Sequence, residues 1–305
     1  MPDFTNCKRL LGNAYAGANG KKIGIEYQGE QYMLKFPPTG ATRRTELSYI
    51  NSCFSEHIGS SIFNMVGITT QETILGTYDV GGKPKIVCAC KDFTAGGYRL
   101  HDFCSIKNTV IDSGHNGTGT ELVEILETIE KQQFVNPEEL LEHFWNMFVM
   151  DAYLGNFDRH NGNWGFLYSD TSQTSTIAPV FDCGSCLLPQ ADDKVMHTVL
   201  ENERELHARI FRFPTSVIKC NDQKINYYDF LIAGKNRDCN AALLRMVPRI
   251  NEAAIHSFID ETPYLTDLQR TFYKSYLDAR FDMVLAPAYD MVMDQRHGFS
   301  FMQML

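Results

Sequence analysis

Long apolar runs are missing from this chain of 305 residues. Nothing in it approaches the roughly 20 consecutive apolar residues of a membrane-spanning helix. The opening stretch MPDFTNCKRLLGNAYAG has no uninterrupted apolar core and no cleavage site of small residues, so it does not read as a signal peptide. Positive charge is also in short supply. There are 28 Lys and Arg against 37 Asp and Glu, a net charge of -9. That balance argues against a broad electrostatic footprint for nucleic acid, and no direct DNA binding is expected; a local basic patch is still allowed. Cysteine is sparse and irregularly spaced, with nine in the whole chain, so a disulfide scaffold is excluded. Cys183 and Cys186 form a Cys-x-x-Cys, but no second such pair completes a zinc cluster. The thiols are expected to be reduced, as in a cytoplasmic protein. Neither a full P-loop nor a Gly-x-Gly-x-x-Gly run is present, and no internal repeat is evident.

What is present divides into two parts. KIGIEY, the turn QGE and QYMLKF predict a β-hairpin, because apolar residues alternate on either side of a Gly-containing turn. Leu47, Ile50, Phe54 and Ile58 recur at helical spacing and predict a helix that stops at Gly59. Two strands joined by DVGGKP follow. Beyond them the pattern is mostly helical. Asn136 caps and Pro137 opens a helix whose apolar face holds Leu140, Leu141, Phe144, Phe148 and Tyr153, and Gly155 closes it. NWGFLY and IAPVFD then predict a second hairpin across the loop SDTSQTST. The expected fold class is α+β, with a small sheet-rich lobe over residues 1–93, a larger mainly helical lobe over 94–305, and a joint near Cys90–Ala95.

The most informative stretch is GNFDRHNGNWGFL, a polar run set between an apolar helix and an apolar strand. Asp158 and Asn163 are five residues apart, and Asp182 ends the strand that follows. If the hairpin pairs antiparallel, Asn163 and Asp182 meet at one end of it and Asp158 faces the same point. Phosphoryl transfer needs this convergence. One Asp orients the attacking hydroxyl, while an Asn oxygen and a second Asp hold Mg²⁺, a cation that prefers hard oxygen ligands. Asp-x-x-x-x-Asn followed by Asp-x-Gly, here Asp182-Cys183-Gly184, is the order found in protein-kinase catalytic machinery.

The first half adds candidates for binding ATP. Gly17, Asn19 and Gly20 precede the first arm of the hairpin as a phosphate-covering loop. Lys35 lies in an apolar strand, where a lysine is expected only if it is paired or functional. Such a lysine needs a glutamate on a helix; Glu46 is the first candidate and Glu56 the second. VCACKDF then ends the small lobe, and residues 89–93, including Lys91, are expected to offer backbone groups to adenine, with Phe93 packing on the base.

With these residues in view, the chain resembles the HipA-like kinase family. That family's Gly-Asn-x-Asp-x-His-x-x-Asn is matched by Gly155, Asn156, Asp158, His160 and Asn163, and PVFDCG is similar to its strand ending in the metal aspartate. The resemblance implies a two-lobed protein-kinase-like fold related to phosphoinositide kinases and a Ser/Thr protein kinase using ATP and Mg²⁺. It also implies Asp158 as base, Asn163 and Asp182 as metal ligands, Lys35 on the phosphates and His160 supporting the catalytic loop. A protein substrate is implied, with an antitoxin or a host protein as candidate partners, and a place in the bacterial cytoplasm or in a host cell after delivery. Two departures stand out. HipA toxins carry a subdomain ahead of the phosphate loop, which here begins within the first twenty residues, so that subdomain's antitoxin contacts are not carried over. The loop's autophosphorylated Ser has no counterpart, because Tyr15 is the only hydroxyl between Gly12 and Gly24. DRHNGN with DCG is also similar to the phosphoinositide-kinase pattern. A lipid or small-molecule kinase, and a nucleotide-binding pseudokinase effector, are therefore the competing readings.

Overall fold

The computed structural model describes residues 1–10, 22–37, 49–111 and 116–302. Its first sheet has the order β1-β2-β3-β5-β4, with every neighbouring pair antiparallel. The strands are β1 (Lys8–Leu10), β2 (Lys22–Tyr27), β3 (Glu30–Lys35), β4 (Thr73–Asp79) and β5 (Pro84–Lys91). The β2–β3 turn places Gln28 at φ 53° and Gly29 at φ 82°. Two consecutive left-handed residues twist the chain in the sense the flanking strands require.

Alternation along β3 and β5 gives this sheet two different faces. Tyr32, Leu34 and Phe36 join Val87 and Ala89 in one apolar cluster. Met33, Cys88 and Cys90 pack into the main core on the opposite face. Lys35 lies opposite Cys88 in the ladder, so period-two alternation turns it toward the same face. Helix α1 (Ser52–Met65) packs against β4 and β5 there.

Helix α1 runs straight through Gly59, where the sequence pattern predicts a stop. The reason is close approach. A Cβ on Gly59 would lie 2.9 Å from Cβ of Cys183, so the position needs the smallest residue for packing rather than for a cap. Gly59→Ala is therefore expected to lower unfolding stability by about 1–3 kcal/mol through overpacking, read as a lower urea midpoint with an unchanged m-value.

The larger part holds α2 (Phe103–Val110), α3 (Leu122–Lys131), α4 (Pro137–Leu154), α5 (Asp193–Glu201), α6 (Glu203–Phe211), α7 (Tyr227–Ala233), α8 (Arg237–Met246), α9 (Glu252–Glu261), α10 (Asp267–Arg280) and α11 (Ala286–Met302). Between them run a three-stranded sheet, β6 (Tyr98–Asp102), β7 (Gly165–Ser169) and β8 (Thr174–Ile177), and a short ribbon of β9 (Lys219–Cys220) with β10 (Gln223–Lys224). Among the described residues no helix is long and apolar enough to cross a membrane.

The expected helix 136–155 is α4. Asn136 accepts from the backbone N–H of Glu138, Pro137 opens the first turn, and Gly155 at φ 64° closes the last. The second hairpin differs from expectation. Its return arm is Thr174–Ile177, ladder pairing ends where the Ala178 N–H donates to the Gly165 carbonyl, and Pro179 cannot extend it. Val180 pairs instead with the segment before β4: its N–H donates to the Thr69 carbonyl, and its own carbonyl accepts from Gln71. The residues that lead into Asp182 are thus tied to the small sheet's side of the molecule.

Candidate active site

The polar run folds as a compact loop below the αL turn at Gly155. Asn156 is fully buried; its amide donates to Asp151 Oδ1 at 2.8 Å and its own Oδ1 accepts the Asp158 N–H at 3.0 Å. The Asp158 carbonyl accepts from the His160 N–H and from Asn163 Nδ2, at 2.9 and 2.7 Å. Asp158's side chain is therefore held between two local turns, with its carboxylate unspent on either.

Arg159 organises the loop from beneath. Its guanidinium is buried and meets the Asp151 carboxylate side-on, with Nε to Oδ2 at 3.0 Å and Nη2 to Oδ1 at 3.2 Å. Nη1 donates to the Asn163 carbonyl at 3.0 Å and, more closely, to the Phe181 carbonyl; Nη2 reaches Cys183 Sγ at 3.6 Å. One planar cation thus fastens the backbone at Asn163 to the two neighbours of Asp182, the Phe181 carbonyl and the Cys183 thiol. The hairpin geometry expected to join them is too short to do it.

Asp182 itself sits at φ 58°, a left-handed conformation that costs free energy for a non-glycine residue and is held by its surroundings. Lys35 Nζ lies 2.8 Å from Asp182 Oδ1 and 2.8 Å from Glu56 Oε2. The Lys35–Asp182 contact is a well-formed hydrogen bond. The Glu56 contact is electrostatic, since both Glu56 oxygens are buried and unaligned with any donor. Lys35 holds the Asp182 carboxyl down to about 2, against the opposing effect of burial. Burial works against the Lys35 charge in turn, but Asp182 and Glu56 outweigh it and raise its pKa well above the ordinary value. The Asp158 carboxyl moves the other way. Burial raises it, His160 pulls it down, and the neighbouring Asp182 charge raises it again.

The donors present fit a hard divalent cation. Asn163 has committed its NH₂ to the Asp158 carbonyl, so the amide oxygen is the atom left to coordinate. Asp182 keeps 38% of its side chain accessible and only one oxygen on Lys35. Two oxygen donors of this kind suit Mg²⁺ and not a thiophilic metal. Among the described residues no cluster of three or more His, Cys, Asp or Glu offers a different metal centre, and all nine cysteines are free thiols.

The N-terminal half of the site needs correcting at two places. Lys35 is paired with Glu56, the second of the two candidate glutamates; Glu46, the first, lies outside the described residues, as do Gly17, Asn19 and Gly20. Lys91, expected to offer backbone groups to a base, has both of them engaged within the protein. Its N–H donates to the Glu72 carbonyl at 2.8 Å, its carbonyl accepts from Gln71 Nε2 at 2.9 Å, and its ammonium faces Glu72 and Glu30 at 3.5 and 3.6 Å. β5 is an interior strand, and its register claims those groups. Phe93, just past the strand, stacks obliquely on Phe181 at 5.6 Å between ring centroids, next to Asp182. The His160 ring accepts the Gly162 N–H on Nδ1 at 3.0 Å and so shapes the loop.

Residues 14–253 match the HipA-like C-terminal domain. The chain belongs to the HipA-like kinase family. The serine/threonine-protein kinase CtkA of Helicobacter pylori strain J99 is 51% identical to this HipA-like chain over 288 residues, which are 94% of this chain and 87% of that protein. A crystal structure of an H. pylori proinflammatory kinase CtkA superposes with a TM-score of 0.90 at 49% identity, covering 96% of this chain and 98% of the other. A chain of the Shewanella oneidensis MR-1 HipA–HipB–operator DNA complex superposes at TM-score 0.58 and 16% identity, over 93% and 70% of the two chains. At that identity the likeness concerns the fold. This HipA-like protein is thus a protein kinase, with the two-lobed α+β fold of such enzymes.

Sequence reasoning passed over the supports of the site. Arg159 was in plain sight between Asp158 and His160, and Asp151 lies eight residues upstream in an otherwise apolar helix end. An Arg and an Asp flanked by core residues signal a buried pair, since buried charges are seldom left alone. Asn161 gave no such signal. Its amide donates to the Gly117 and Gly119 carbonyls, both at 2.8 Å, and only tertiary packing brings those residues near.

Proposed function

We propose that this protein transfers the γ-phosphoryl group of ATP to serine or threonine hydroxyls of a protein substrate, its own chain included, in a reaction that requires Mg²⁺. The observation that carries this reading is the shared anchor: Arg159 binds the Asn163 and Phe181 carbonyls together, so that Asp158, Asn163 and Asp182 stand on one rigid support. Asp158 accepts the proton of the attacking hydroxyl. Burial raises its carboxyl above the ordinary aspartate value, which makes it a better base than an ordinary aspartate. When bound, Mg²⁺ supplies positive charge to the polyphosphate oxygens, with Asn163 Oδ1 and the Asp182 carboxylate as its donors. Lys35, oriented by Glu56, presents its ammonium to the same phosphates.

The test is incubation with labelled ATP and Mg²⁺ in the presence of casein and of phosphoinositide vesicles, followed by mass spectrometry. Phosphoserine or phosphothreonine on protein, abolished when EDTA removes Mg²⁺, is the expected outcome. Label in lipid only, or ATP binding with no transfer at all, would overturn the reading.

A further inference from the structure

The ribbon of β9 and β10 stands beside the catalytic loop and is pinned to it at both ends. At its start, the Lys219 N–H donates to the Thr120 carbonyl, and Thr120 Oγ1 donates to the Val217 carbonyl at 2.8 Å. The same segment, one turn earlier, holds Asn161 through the Gly117 and Gly119 carbonyls. Buried Lys107 adds a second donor to the Gly119 carbonyl at 2.6 Å. At the ribbon's far end, Tyr227 Oη donates to the Asn156 carbonyl at 2.6 Å, two residues before Asp158. The ribbon therefore keeps a fixed position relative to the acceptor site.

Its charge is unusual for so small an element. Lys219 and Lys224 are direct cross-strand partners, so their side chains share one face. Like charges placed opposite one another destabilise a ribbon, yet neither lysine has a carboxylate partner among the described residues. Glu121, which faces Lys219 in an isolated parallel bridge, spends Oε1 on the Asp222 N–H at 3.0 Å. Asn221 and Asp222 form the turn at φ 54° and 63°, which fixes the register that pairs the two lysines. The ribbon that carries both lysines is tied to the catalytic loop on either side of Asp158, at Asn156 through Tyr227 and at Asn161 through the 117–120 segment. In a chain of net charge -9, this is a local basic ledge beside the catalytic loop.

We infer that Lys219 and Lys224 form a docking ledge for acidic residues flanking the phosphoacceptor, so that the substrates this enzyme selects are serines or threonines in acidic segments. The inference rests on the kinase reading above and adds the substrate class. A carboxylate on the incoming segment neutralises the repulsion between the two ammonium groups, and that gain exists only in the complex.

The test is a degenerate Ser/Thr peptide library read with the wild-type protein, the Lys219→Glu/Lys224→Glu variant, the Lys219→Gln/Lys224→Gln variant and a control. Lys83→Glu/Lys85→Glu, exposed at the β4–β5 turn and the start of β5, is the control, since it changes net charge equally. Wild type is expected to favour Asp and Glu near the acceptor by about tenfold in kcat/KM, chiefly through KM. The preference should weaken at high salt, fall with Gln, reverse with Glu and persist in the control. A flat or basic-selecting library with the wild type, or an equal change in the control, overturns the ledge while leaving the kinase reading intact. No transfer to any hydroxyl, the protein's own included, overturns the kinase reading itself.

Discussion

Asp158→Ala is expected to reduce phosphoryl transfer by about 10²–10⁴-fold while leaving nucleotide binding close to that of the wild type. The side chain makes none of the hydrogen bonds that shape its loop. Those run through its N–H and its carbonyl, to Asn156, His160 and Asn163. Removing the carboxylate should therefore remove the chemistry and spare the scaffold, which a matching thermal melt would verify. The wild-type pH profile supplies a second readout. Burial holds the Asp158 carboxyl above its ordinary value of 3.8. The acid limb of kcat/KM should accordingly fall at a pH above that value and be absent from the residual activity of the variant. Transfer by Asp158→Ala at wild-type rates would remove Asp158 from the mechanism.

Arg159→Met is expected to lower unfolding stability by about 3–5 kcal/mol and to lose transfer activity at the same time. Methionine keeps the apolar stem but none of the donors. The Asp151 carboxylate, almost wholly buried and already pushed up by its burial, then loses its cation and two hydrogen bonds. The Asn163 and Phe181 carbonyls lose their common donor as well. The stability loss comes mainly from the stranded charge. Adding Asp151→Asn to Arg159→Met should consequently recover a good part of it, whereas activity should stay low because the link between Asn163 and Asp182 is still missing. Urea titration and phosphate transfer on the single and double variants separate the two effects. Equal losses of both in single and double variants would mean that the pair does not work as described.

The elements most legible from sequence are those whose causes are local. The β2–β3 hairpin was visible because alternation and a Gly-containing turn act over a few residues. The limits of α4 were visible because Asn136, Pro137 and Gly155 each act on the first or last turn of that helix. The elements misread are those in which a distant neighbour overrode a local signal. Gly59 has the chemistry of a helix stop, but Cys183 passes close enough to require glycine inside the helix. IAPVFD has the composition of a full strand, but Thr69 and Gln71 take Val180 out of the hairpin. Lys91 lies at the end of an apolar strand, yet the register with β3 and the contacts to Glu72 and Gln71 decide where its groups go.

By itself the sequence determined which side chains are available for the chemistry: two carboxylates and an amide at kinase spacing, and one lysine in an apolar strand. Residue type and short-range order settle such a list, because hardness, charge and turn formation belong to the residues and their immediate neighbours. Only the tertiary structure decided that Glu56 faces Lys35, that Arg159 joins the Asn163 and Asp182 segments, and that the ribbon of Lys219 and Lys224 is tied to the loop of Asp158. Each of these joins residues at least eighteen positions apart. Such meetings depend on how helices and sheets pack, since a close-packed interior selects one among many arrangements that the local pattern allows.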